Sequence, residues 1–197
     1  MKRKLLLKIL ILTILAGTLM GRGRIGENED FAHGGKGSTE IKEETLYDDG
    51  NTSYLFRVEG KYFQKYDGSE FKDYYIKGVN IGSSKPNTFP GELGVTEDEY
   101  LKWFEQIGEM HANTIRVYTV LMPAFYSALY KYNTTHDEKI YLFQGCWYNE
   151  DLISETQDAF SDIKDVKKDL RDLVNIIHGN AKVEKRVGHA YGNYTRN

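Results

Sequence analysis

A single cysteine, Cys146, occurs in 197 residues, so no intrachain disulfide framework can form. Within an apolar run, a lone thiol reads as a buried, inert side chain rather than a nucleophile. The five histidines are scattered, without a spacing such as H-x-x-x-H, and give no support to a zinc site. A nucleotide-binding turn is missing too. The first strongly apolar strand runs into Gly78-Val79-Asn80-Ile81-Gly82-Ser83-Ser84-Lys85, which fits neither G-x-G-x-x-G nor G-x-x-x-x-G-K-[ST]. Gly34, Gly35 and Gly37 lack the strand and helix that a phosphate cradle requires. Ser83 and Ser84 have no G-x-S-x-G context, so an α/β-hydrolase triad finds no anchor. No cofactor is expected.

Charge is unevenly placed. Six of the 26 basic residues fall within residues 1–24, which contain no acid; the rest holds 20 bases against 29 acids, a balance of −9. An acidic globular part argues against nucleic acid or an anionic membrane surface as its main partner. The hydrophobic fraction of 40% and charged fraction of 28% suit one globular domain with a sizeable core. Aromatics reach 13%, with fifteen Tyr and two Trp. Such rings stack on sugars, and they also simply fill cores.

The basic start continues as an apolar run, uninterrupted over residues 9–20, the pattern of an export signal. Twelve residues fall short of the roughly 20 that span a bilayer. Snorkelling by Lys8 would extend the run back to Leu5. No A-x-A site follows, so residues 1–24 read as a signal peptide or a retained membrane anchor. Residues 25–49, rich in glycine and charge, read as a flexible linker.

Residues 54–58 and 61–66 alternate around Glu59-Gly60 and predict a β-hairpin. Three β-rich runs then follow, at 75–81, 114–120 and 139–144, separated by helical patterns; the unit is βαβαβ with parallel strands. Thr96 and Glu99 form a capping box for the first helix, whose face carries Tyr100, Trp103, Phe104, Ile107 and His111. Trp103 is expected in the core. Pro123 suits the first position of the second helix, with Phe125, Ala128, Leu129 and Tyr132 as its apolar stripe. A later helix presents Ile163, Val166, Leu170, Leu173, Val174 and Ile177. After residue 179 no strand or helix period remains.

A (β/α)8 barrel places its site on loops after the C-terminal ends of the strands. The long loop after the first strand, and Cys146-Trp147-Tyr148-Asn149-Glu150 after the third, suit that face. Residues 77–82, the loop with Phe89-Pro90-Gly91-Glu92, the helix 100–110 and Ala112-Asn113-Thr114-Ile115-Arg116-Val117-Tyr118 together resemble the opening of a (β/α)8 glycoside hydrolase. The group resembled is the large retaining clan that includes families 2 and 5, and the likeness covers residues 54–197. The expected fold is therefore α/β: a partial TIM barrel of three βα units over residues 50–197, preceded by a β-hairpin and an N-terminal hydrophobic helix.

In that clan the arginine closing the second strand hydrogen-bonds the nucleophilic carboxylate, and Arg116 is the matching position. A planar, permanently charged donor fork suits that task. Arg116 and Tyr118 share strand parity and are expected to face inward together; a buried salt bridge within the barrel is the alternative for Arg116. Tyr118, Trp147, Asn149 and Glu150 are candidate substrate contacts, a Glu in the position of Glu150 being more often a solvated helix-entry acid.

Retaining glycosidases need two carboxyl groups about 5–5.5 Å apart. In the resembled clan these follow strands four and seven, which the three units here do not reach, so no catalytic carboxylate is assigned. The expectation is the N-terminal part of an exported, membrane-anchored or secreted glycoside hydrolase-like protein acting on oligo- or polysaccharide. It is expected to be inactive alone and to be completed by the remaining half of a barrel. The alternative is a noncatalytic carbohydrate-binding or cell-surface interaction module.

Overall fold

The structure, a computed structural model, describes residues 44–185 and 189–195. The apolar segment 1–24 and residues 25–43 of the expected linker lie outside them, and the expected N-terminal hydrophobic helix gains no support. Among the described residues no helix is long and apolar enough to cross a membrane.

The fold is mixed α/β, centred on a three-stranded parallel sheet. Strands β6 (Gly78–Asn80), β7 (Thr114–Val117) and β8 (Tyr141–Gln144) lie in that order. The register sets Asn80 beside Arg116 and Arg116 beside Phe143. Helices α1 (Glu97–Glu109) and α2 (Pro123–Thr135) make the crossovers, as the alternating pattern predicts. The capping box forms: Glu99 N–H donates to Thr96 Oγ1 at 3.4 Å, and Thr96 N–H donates to Glu99 Oε2 at 2.8 Å. Lys85 adds an ion pair to Glu99 at 2.7 Å, tying the loop after β6 to the helix start. Pro123 opens α2, where its missing N–H costs nothing.

The core lies between the sheet and these helices. Tyr100, Phe104 and Ile107 meet Phe125, Ala128, Leu129 and Tyr132 over Ile115, Val117 and Leu142. Phe104, Phe125, Ala128, Ile115 and Val117 are fully buried. The helices approach closely at Gly108, where any Cβ would fall on the Tyr132 hydroxyl. His111, expected on the same face, lies past the helix end with φ +55° and is exposed. Trp103 is also a correction. It is half-buried, packing on the margin of the core beside an open groove with Val79, Ile81 and Ile107.

The predicted hairpin is a three-stranded antiparallel meander, β3 (Phe56–Glu59), β4 (Tyr62–Tyr66) and β5 (Phe71–Asp73). Its two-residue loop is Gly60-Lys61, one place later than expected, with Gly60 at φ +59°. The end of the expected linker belongs to the fold. There β1 (Tyr47–Asp48) pairs with β2 (Ser53–Tyr54), and Glu44 binds Lys65 at 2.6 Å and accepts from the Tyr141 hydroxyl. Beyond β8, helices α3 (Glu150–Thr156) and α4 (Ile163–Ile177) follow. Helix α4 buries Val166, Leu173 and Ile176, whereas Ile163, Leu170, Val174 and Ile177 are only half-covered. The aperiodic C-terminal stretch forms a short antiparallel pair, β9 (Lys182–Val183) with β10 (Gly192–Asn193). Its anchor is the buried Tyr194.

Candidate functional site

Successive strand residues point to opposite faces, so the sheet that packs Val79, Ile115, Val117 and Leu142 on the helices turns Asn80, Thr114, Arg116, Tyr141 and Phe143 the other way. The meander covers the N-terminal half of this second face. Phe56 meets Tyr141 edge-on at 4.9 Å and Tyr74 at 5.1 Å; Phe63 meets Phe143 at 5.6 Å. Tyr74 donates to the Asn113 carbonyl at 3.1 Å. The seam encloses only about 10 Å³.

Above that seam, towards the C-terminal ends of the strands, the face is open. Arg116 is exposed, with its guanidinium carbon 4.3 Å from the centroid of the Tyr118 ring, itself 47% exposed. The shared parity therefore does bring these two together. The buried salt bridge weighed for Arg116 is absent: no carboxylate pairs with it among the described residues. A cation over an exposed ring contributes about 0.5–1 kcal/mol, and among the described residues the guanidinium N–H groups have no side-chain partner.

Trp147, Tyr148, Asn149 and Glu150 follow β8 at the same end of the sheet and are all exposed, Trp147 by 58%. No hydrogen bond, ring contact or ion pair joins them to Arg116. Asn149 has a structural task that its sequence context did not reveal. Its side chain caps α3, accepting from Leu152 N–H at 3.1 Å. Glu150 opens that helix as a solvated first-turn acid, where the helix dipole favours it.

Sequence reasoning missed the group that shapes this end. Gln144 is 6% exposed. It accepts from the Tyr126 hydroxyl at 2.8 Å and donates to the carbonyls of Thr119 at 3.0 Å and Gly145 at 2.9 Å. Tyr126 Oη in turn accepts from Leu121 N–H at 3.4 Å, and Tyr194 donates to the Leu121 carbonyl at 2.9 Å. The loop carrying Tyr118 is thus held from both sides. Burial pushes the Tyr126 phenol well above its ordinary range and moves Tyr194 up to about 12, so both remain hydrogen-bond donors at neutral pH. Gly145 is required here: a Cβ would lie 2.6 Å from the carbonyl oxygens of Val117 and Tyr118. The one available hint was a polar residue on the helix-facing parity of an apolar strand.

Cys146 is half-buried, and burial, reinforced by the charge of Asp169, raises its thiol pKa. That disfavours the thiolate. Among the described residues no group of three His, Cys, Asp or Glu is placed to hold a metal ion. Comparison with protein-family models, curated proteins and solved structures finds no match.

Proposed function

We infer that this chain is the opening part of a (β/α)8 barrel of the retaining glycoside hydrolase type, exported and either tethered through residues 1–24 or secreted, and acting on oligo- or polysaccharide. One observation carries the reading: Arg116 stands on the open face near the C-terminal end of the middle strand, without a carboxylate partner among the described residues and backed by Tyr118. In the clan that the sequence resembles, this arginine holds the nucleophilic carboxylate ionised, and a guanidinium with an unused N–H edge suits that role. Tyr118 and Trp147 present ring faces on which sugars stack. In the resembled clan the two carboxyl groups follow strands four and seven, beyond the three units here, and Glu150 is a solvated acid at a helix start, so on this reading the chain by itself binds glycan and does not cleave it.

A noncatalytic carbohydrate-binding or cell-surface module is the second reading, favoured by the exposed rings of Phe89 (77%), Trp147 and Tyr148. A glycan array followed by calorimetry on the purified chain, with reducing-end assays beside it, tests both. Binding that Arg116→Ala abolishes supports the barrel reading. Binding lost in Trp147→Ala but indifferent to Arg116→Ala supports the module. Hydrolysis by the pure chain overturns the account of an incomplete site.

A further inference from the structure

Strand β6 is an edge. Lys77 and Ile81 direct their backbone hydrogen bonds toward β7, with Asn113 N–H donating to Lys77 O and Ile81 N–H donating to Arg116 O. Alternation then turns the N–H and C=O groups of Gly78 and Asn80 outward, and among the described residues β6 has no second neighbour. Two donors and two acceptors, spaced symmetrically about Val79, form a self-complementary pattern. An antiparallel second β6 would match Gly78 with Asn80 of the partner subunit and Asn80 with the partner's Gly78.

Beside this edge lies an open groove of about 580 Å³. Its floor is Val79, Ile81 and Ile107. Ile81 and Ile107 are members of the main core, against which Val79 also packs, so the groove is continuous with the established interface between helices and sheet. Trp103 forms one wall, and Met110, 63% exposed, stands at the end of α1 as an apolar knob. Knob and groove on one surface suit a two-fold contact, in which each copy offers the other what it lacks.

The charges on this flank have the same symmetry. Lys102, Gln106 and Glu109 fall at i, i+4 and i+7, one stripe of α1. When two such helices run antiparallel about Gln106, Lys102 comes opposite Glu109 of the partner subunit. That arrangement fixes register rather than affinity, since exposed pairs contribute little.

We propose that the β6–α1 edge is a homodimer surface: two copies join β6 to β6 antiparallel about Val79, each covering the other's groove with Trp103 and Met110. The inference stands apart from the glycan reading, because an open sheet edge and an apolar groove need covering whatever the inner face binds. Barrel closure would use the same edge, so the dimer is the state of this chain by itself, and a strand–helix unit added beside β6 displaces it.

Sedimentation of the purified full chain over a concentration series should show a reversible dimer. Met110→Lys should raise its dissociation constant roughly a hundredfold, because the substitution acts twice in a two-fold interface. Far-UV circular dichroism of that variant should stay unchanged. Lys102→Glu and Glu109→Lys should each weaken association severalfold, and the double reversal should restore it; association through the N-terminal apolar run would respond to neither. In Trp147→Phe, Trp103 is the remaining tryptophan, and its emission should shift to the blue as dimer forms. A chain monomeric at every concentration overturns the proposal. So does a dimer indifferent to Met110→Lys and the charge reversals, or one that leaves Trp103 emission unmoved.

Discussion

The two faces of one sheet differ sharply. Against the helices, Ile115 and Val117 are fully buried and Leu142 is 5% exposed. On the opposite face, the neighbours of these residues include Asn80 and Arg116, both open to solvent. Alternation alone assigns the side chains to faces, but within the described residues only one face is covered along its whole length; the meander covers just the N-terminal half of the other. The difference teaches where stability and function separate. Residues facing the helices hold the fold together, while the upper part of the other face contributes little to stability and is free to bind.

The sharpest test of that division compares two phenylalanines. Phe104→Ala should cost about 3–5 kcal/mol in urea unfolding, through lost burial and a cavity. Phe143→Ala, on a half-buried side chain against the meander, should cost clearly less. Equal losses would erase the contrast between the faces. Next comes Gln144→Leu, which strips partners from Tyr126 and from the Thr119 and Gly145 carbonyls; about 1–3 kcal/mol is expected. It should also weaken glycan binding by loosening the Tyr118 loop.

Thr96→Ala removes the cap of α1 and should cost about 1 kcal/mol. Its partner Glu99 gives a pH signature. The Lys85 ammonium, then the Thr96 hydrogen bonds, hold its carboxyl at about 2, against an ordinary 4.5. A depressed folded-state pKa contributes stability above the unfolded value and loses it as pH falls. The stability gap between the native chain and Glu99→Gln should therefore be full above about pH 4.5 and fade towards pH 2. A gap independent of pH would remove the ion pair from the account. Smallest is Arg116→Ala, which should cost about 0.5–1 kcal/mol of unfolding stability, the cation–π contact alone, while abolishing the proposed glycan binding.

What could be read from the sequence was local. Thr96 and Glu99 three residues apart, Pro123 before an apolar stripe, and the shared parity of Arg116 and Tyr118 each depend on a few neighbouring residues, and each appears in the structure. What was missed depends on partners far along the chain. Glu44 reads as linker until it meets Tyr141, 97 residues on. Tyr194 sits in an aperiodic tail, yet reaches Leu121 across 73 residues. Trp103 has the spacing of a core residue, but periodicity cannot say which flank of a helix has a neighbour. Asn149, a candidate sugar contact from its place after the third strand, also has a structural task, since its side-chain carbonyl caps the helix that follows.

The contact between Glu44 and Tyr141 has a consequence for orientation. Tyr141 begins β8, so the described chain enters the fold at the N-terminal ends of the parallel strands, while Tyr118 and Trp147 leave from the opposite ends. Any pull transmitted through residues 1–43 is delivered at the bottom of the sheet, onto Lys65 and Tyr141. Under the proposal that residues 1–24 are an anchor, the strands, rising about 3.3 Å per residue, point their far tips away from the attachment. On that proposal the guanidinium of Arg116 and the exposed rings would face the medium.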